Sequence, residues 1–177
     1  VSADGADVGI CEYETDKGRR FRIRSSEDVL QDGRRVKNLF QIDHANVWNK
    51  IFSSKLIKTY SIRFDALGTC NDISFTYSAM SAAKKIKILR QPLIVYRTKS
   101  AQQLKASRGG NAANVVEAYA SLKKFLVQNG FYDELKASFI RRMAVSILHE
   151  AKYCSLVQLK MLLTRLMTFK NRDGRYR

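Results

Sequence analysis

Up to Tyr96, short apolar runs alternate with turn residues; beyond that, apolar positions recur at helical spacing. Ala6-Asp7-Val8-Gly9-Ile10-Cys11 carries apolar residues on both faces and reads as a short strand. Phe21-Arg22-Ile23-Arg24 alternates and reads as a second strand paired with it across the turn residues Glu14-Thr15-Asp16-Lys17-Gly18. Ser25 or Ser26 is placed to cap a short helix through Leu30, ended by Gln31-Asp32-Gly33. Val36 to Ile42 reads as another short helix, and Trp48 to Thr59 as mostly helical. Asn71 and Asp72 stand where the N-cap of a helix over Ile73 to Ala83 belongs. Ile86-Lys87-Ile88-Leu89 and Leu93-Ile94-Val95-Tyr96 read as two strands separated by Gln91-Pro92.

Three amphipathic helices follow. Asn111 is placed to cap the first, with Val115, Tyr119, Leu122 and Leu126 on one face and Gly130 at its end. Asp133 and Glu134 open the second, where the helix dipole favours acids, and its face is Leu135, Phe139, Met143 and Ile147. Ser155 caps the third, which carries Leu156, Leu159, Leu163, Leu166 and Met167 to Phe169. The expected class is α/β, a mixed α+β piece over residues 1–106, followed by a mainly helical region over 107–177. The Gly-Gly of Ser107-Arg108-Gly109-Gly110 marks a linker between them.

The 177 residues are 45% apolar, which suits one folded domain and excludes a disordered chain. No apolar run is long enough to span a bilayer, no secretory signal is visible, and Val1 reads as a cut end. Cys11, Cys70 and Cys154 are odd in number and far apart, so free thiols in a reducing compartment are expected rather than disulfides. His149 near Cys154 gives two ligands, too few for zinc, and His44 has no partner at ligand spacing. The formal charge is +16, and between Ile73 and Val116 there is no Asp or Glu at all. Such a field attracts polyanions: nucleic acid, nucleotide or lipid phosphates, or an anionic membrane face. A basic surface with no dedicated partner is the plain alternative.

One block of segments narrows the choice. Val47-Trp48-Asn49-Lys50-Ile51-Phe52 is followed by Ile62-Arg63-Phe64, by Asn71-Asp72-Ile73-Ser74-Phe75 and by Gln91-Pro92-Leu93-Ile94-Val95-Tyr96-Arg97. In this order and at these intervals they resemble the acceptor-side half of a family 2 glycosyltransferase of the GT-A type, over about a third of the chain. The resemblance implies a mixed α+β remnant of a GT-A fold and an inverting, non-processive transfer of a sugar from a nucleotide-sugar donor to a hydroxyl of a glycan or lipid-linked acceptor. It implies Asp72 as the base that removes the acceptor proton. The family has Glu-Asp there, so Asn71 departs from its pattern. Trp48, Asn49 and Asn71 would lie at the acceptor, and Lys50 and Arg97 would meet phosphate. Each has a plainer reading: Asp72 as a helix cap, Trp48 as a core residue, Lys50 as a surface lysine.

The family's metal motif, Asp-x-Asp, is absent from this sequence, as is the Gln-x-x-Arg-Trp of processive members. The resemblance therefore implies no cofactor in this chain. It implies Mg2+ or Mn2+ held by an Asp-x-Asp in an upstream donor-binding half, without which the chain would be inactive. No phosphate-cradling Gly-x-x-x-x-Gly-Lys-Ser/Thr loop and no Gly-x-Ser-x-Gly elbow occurs. The last helix sets leucines and methionines against Lys160, Arg165 and Lys170, the pattern of an interfacial helix on anionic lipid, with Lys160, Leu163 and Arg165 toward the membrane. Its leucines could instead pack on the domain or on a second copy in a homodimer. Asn171 to Arg177 reads as a frayed basic end. The expected location is cytoplasmic, peripheral at the inner face of the cell membrane. A nucleic-acid module is disfavoured, since no known motif appears and the aromatics fall at core spacing.

Overall fold

The computed structural model describes residues 5–25, 27–31, 34–98 and 112–172, with side chains in the last helix through Phe169. The fold is mixed α+β, a mixed sheet with helices packed on it. Strand β1 (Val8–Thr15) is its centre and is almost continuously buried. It pairs with β2 (Arg20–Phe21) antiparallel at Tyr13 and Glu14. On the same side β4 (Lys50–Phe52) pairs antiparallel with Val8 to Ile10. On the other side β1 runs parallel to β5 (Lys85–Tyr96), and β3 (Val29–Leu30) closes that edge antiparallel to the start of β5.

Several local expectations need correction. Ser25 to Leu30 forms no helix: Val29 and Leu30 pair with Ile86 and Lys85, and Asp28 accepts the backbone N–H of Ile88. Gln31 fixes this segment by donating to the carbonyls of Met80 and Ala83. Over Val36 to Ile42 only a 3-10 turn, Leu39–Gln41, forms. Trp48 to Phe52 is not helical, because Lys50 to Phe52 is drawn into the sheet; helix α1 (Ser54–Thr59) starts after Ser53, whose hydroxyl accepts from Leu56 N–H. The two strands expected around Gln91-Pro92 are one strand. A bulge absorbs the proline, so that Cys11 faces Leu89 while Glu12 already faces Pro92. The carbonyl of Arg90 in this bulge accepts from the Arg20 guanidinium.

Helix α2 (Asn71–Ala82) is the inner element, buried at every position from Ile73 to Ala82. Its N-cap is Cys70, not Asn71 or Asp72, and Cys70 adopts φ +62°, a region that costs a non-glycine residue strain. Asn71 and Asp72 form its first turn. Helix α3 (Asn114–Gln128) closes with Gly130 at φ +71°, where Phe131 N–H reaches Leu126 O and Gly130 N–H reaches Val127 O. Helix α4 (Tyr132–Ala151) opens with Asp133 and Glu134. Helix α5 (Leu156–Arg172) opens on a reciprocal cap: Ser155 Oγ accepts from Gln158 N–H, and Gln158 Oε1 accepts from Ser155 N–H. The Asn111 cap, the Ser107 to Gly110 linker, Ser26, Asp32-Gly33 and the basic end beyond Arg172 lie outside the described residues.

The core is shared by the α+β and helical regions. One hydrophobic cluster runs from Val8 and Ile86 of the sheet through Tyr77 and Met80 of α2 to Tyr119, Leu122, Phe139 and Leu162 of the last three helices. Among the described residues no helix is long and apolar enough to cross a membrane.

A buried ion pair pins the segment before β4. The Lys50 ammonium is wholly buried and donates to Asp43 Oδ2 at 2.6 Å, to the carbonyls of His44 and Asn46, and to Asn49 Oδ1. Removing one partner of such a pair leaves an uncompensated buried charge, at a cost of about 3–5 kcal/mol. Lys50→Met should therefore lower unfolding free energy by about that amount in urea titrations, and adding Asp43→Leu should recover part of the loss.

Candidate functional site

The geometry starts at the same ion pair. Asn49 is buried and bridges the 43–50 segment to the sheet: its amide donates to Cys11 O at 3.0 Å and to Asp43 Oδ2 at 2.9 Å, and its own carbonyl accepts from Cys11 N–H. Helix α2 holds the segment from the other side. Thr76 Oγ1 donates to Ala45 O, and the Tyr77 hydroxyl donates to Asp43 O. Arg142 of α4 then donates through Nε to Tyr77 Oη at 2.6 Å and through Nη2 to His44 Nδ1 at 2.9 Å.

Asp72 lies half-buried in the first turn of α2, within electrostatic reach of Lys50. Burial pushes its carboxyl above the ordinary value of 3.8, against the pull of the Asp72 and Ile73 backbone N–H groups and of Lys50. Burial likewise holds the Lys50 ammonium below its ordinary value, opposed by Asp43 and Asp72. A carboxyl of raised proton affinity beside a helix start is chemically suited to accept a proton.

An aromatic row crosses the sheet nearby. Phe21 stacks on Tyr13 at 4.7 Å between centroids, Tyr13 meets Trp48 edge-on at 4.6 Å, and Trp48 stacks on Tyr96 at 5.3 Å. Trp48 keeps 38% of its surface exposed, so it is neither a core tryptophan nor a free one. Beyond Tyr96, Thr98 ties the strand end to Asp16, leaving Arg97 on the surface.

The structure thus gathers Trp48, Asn49, Lys50 and Asp72 around one segment, with Asn71 exposed at the same helix start and Arg97 at the far end of the aromatic row. Two of the expected contacts are used internally. The Lys50 ammonium already has four oxygen acceptors, and the Asn49 amide spends its N–H groups on Cys11 and Asp43, so both position the site rather than face a ligand. On α5, Lys160 and Leu163 are exposed, while Arg165 pairs with Glu117 of α3 at 3.2 Å. The leucine stripe divides. Leu159, Leu162 and Leu166 pack on the core, while Leu156, Leu163 and Met167 face outward.

Sequence reading missed Asp43, Tyr77 and Arg142. Asp43 and Arg142 are 99 positions apart, and no local pattern joins them. Among the described residues no three His, Cys, Asp or Glu side chains assemble into a metal-binding group. No protein-family model matches the chain, and a search of curated proteins returns no match.

The raised proton affinity of Asp72 has a consequence for stability. The native state binds its proton more tightly than the unfolded chain does, so stability should fall as pH rises from about 3.8 through the higher native value. Asp72→Asn should remove this fall, leaving a flatter profile of urea midpoint against pH than the parent chain gives.

Proposed function

We propose that this chain is the acceptor-side part of an inverting, non-processive sugar transferase of the GT-A, family 2 type, acting in polysaccharide or glycoconjugate assembly. The observation that carries the reading is Asp72: a half-buried carboxyl of raised proton affinity at a helix start, beside the segment that contains Trp48 and Lys50. In the proposed step the acceptor hydroxyl gives its proton to Asp72 Oδ. The oxygen then forms a bond to the anomeric carbon as the bond to the nucleoside diphosphate breaks, with inversion. Trp48 offers its exposed part to the C–H face of a sugar, and Arg97 lies on the surface, where a guanidinium can approach phosphate. Lys50 and Asn49 hold Trp48 and Asp72 in register.

The family's divalent ion belongs to an Asp-x-Asp motif in a donor-binding half. The residues described here do not fit such an ion, and no step is assigned to it. The nucleotide-sugar donor would be bound by that half, and the acceptor, a glycan or a lipid-linked sugar, by this one.

Asp72→Asn in the intact protein should lower the transfer rate about 10²–10⁴-fold, the usual worth of a general base, while leaving nucleotide-sugar affinity within a factor of two or so. Transfer of radiolabelled sugar with turnover unchanged in that variant would sink the assignment.

One feature supports a peripheral position on an anionic membrane. Leu156, Leu163 and Met167 face outward on α5 beside Lys160. Leu163→Glu with Met167→Glu should reduce sedimentation with phosphatidylglycerol vesicles at least about tenfold, since each substitution removes buried apolar area and adds repulsion. Equal sedimentation of both proteins, or equally tight binding to duplex DNA, would favour a basic binding module instead.

A further inference from the structure

A second site lies on the opposite side of Asp43 from Lys50. The segment after β2 runs back along the 3-10 turn, held by the hydrogen bond from Arg24 N–H to Ile42 O. Between it and α4 opens a cleft of about 280 Å3, lined by Arg19, Arg22, Arg24, Arg142, Asp43 and His44, with Phe21 at one wall. Four guanidinium groups meet one carboxylate there, and that carboxylate is already neutralised by Lys50 at 2.6 Å.

Among the described residues nothing balances these charges. Arg19, Arg22 and Arg24 are exposed and make no ion pair; Arg19 only lies over the Phe21 ring. Arg142 is more than nine-tenths buried, fixed through Nε and Nη2, while its Nη1 has no hydrogen bond among the described residues. It is therefore a pre-oriented donor at the base of the cleft. His44 adds no charge: crowding by the protein and the neighbouring Arg142 hold it below its usual range, and its Nδ1 accepts from Arg142.

We propose that this cleft binds the diphosphate group of a small organic ligand. Guanidinium forks match phosphate oxygens in pairs. A phosphate monoester carries about −1.5 to −2 charges near neutral pH, so one phosphate or one carboxylate would leave much of the field of four arginines unmet, whereas a diphosphate adds a second charged group and more acceptor oxygens. The organic part has one apolar neighbour in the cleft, the half-buried Phe21, whose ring is backed by the buried Tyr13. Nucleoside diphosphates and isoprenoid diphosphates share this chemistry. The inference does not rest on the transferase reading, since it is read by binding alone and needs neither donor nor turnover.

The test is calorimetric titration of the chain with pyrophosphate at low salt, followed by competition with uridine diphosphate and with farnesyl diphosphate. Trp48 is the sole tryptophan and meets Tyr13 edge-on, so its fluorescence reports a ligand that disturbs the Phe21–Tyr13 stack. Saturable one-to-one binding is expected, weakened at least about tenfold in Arg22→Gln with Arg24→Gln, each of which removes charge-assisted hydrogen bonds. Lys55→Gln with Lys58→Gln removes the same charge from an exposed helix elsewhere and should leave affinity within about twofold. Both double variants alter only exposed residues, and circular dichroism verifies that they fold. Competition by uridine diphosphate or by farnesyl diphosphate identifies the source. Equal loss in the two double variants would reduce the cleft to general surface charge and overturn the proposal. So would oligonucleotide binding that pyrophosphate cannot displace.

Discussion

The Lys50 ammonium is the point on which the surrounding structure is assembled. A lysine head-group without water is costly, and the cost is tolerable only because Asp43 and three further oxygens surround it. Those oxygens come from residues 43 to 49, so satisfying one charge closes the whole segment into a turn. Asn49 then joins that turn to β1, and Thr76 and Tyr77 join it to α2. Sheet and inner helix are thus registered against each other by polar contacts that leave little freedom, whereas apolar packing alone tolerates many arrangements. Trp48 and Asp72 inherit their positions from this arrangement.

The same network explains why the helical region is not an appendage. Tyr77 takes a hydrogen bond from Arg142, and Ser138 on the same helix accepts from Phe40 N–H and donates to Gln41 Oε1. Helix α4 therefore shares polar contacts with the 3-10 turn, and α3 packs its Tyr119 and Leu122 into the cluster that holds α2. Shortening the chain before α3 would expose the buried face of α2 and strip Arg142 from the cleft. The positive charge that dominates the composition is similarly organised. The arginines of residues 19 to 24 are gathered by local chain geometry and completed by Arg142 from far along the chain.

What the sequence disclosed follows from the range of each interaction. The last three helices were legible because their apolar spacing, the Ser155 cap and the Gly130 terminator are all local signals. The short elements were not. Ser25 to Leu30 and Trp48 to Phe52 have acceptable helical composition, yet Val29 pairs with Ile86 and Lys50 with Ile10, far along the chain, and that pairing outweighs weak local preference. Gln91-Pro92 looked like a break because a proline normally ends a ladder, and only the bulge opposite Glu12 shows how the strand continues. At the site, Trp48, Asn49, Lys50 and Asp72 stood out, but whether Lys50 faces ligand or protein depends on Asp43, whose nearness to the ammonium no spacing rule conveys.

The balance at Asp72 shows how the parts act together. A lysine close to a carboxylate ordinarily lowers its proton affinity, yet here desolvation prevails. Burial of the carboxyl outweighs the Lys50 cation and the Asp72 and Ile73 N–H groups together. Loss of Lys50 would free the turn that its ammonium closes and let water in, weakening the desolvation that keeps the carboxyl basic. Burying the cation against Asp43 preserves the geometry, and with it the desolvation, that the proposed proton transfer requires.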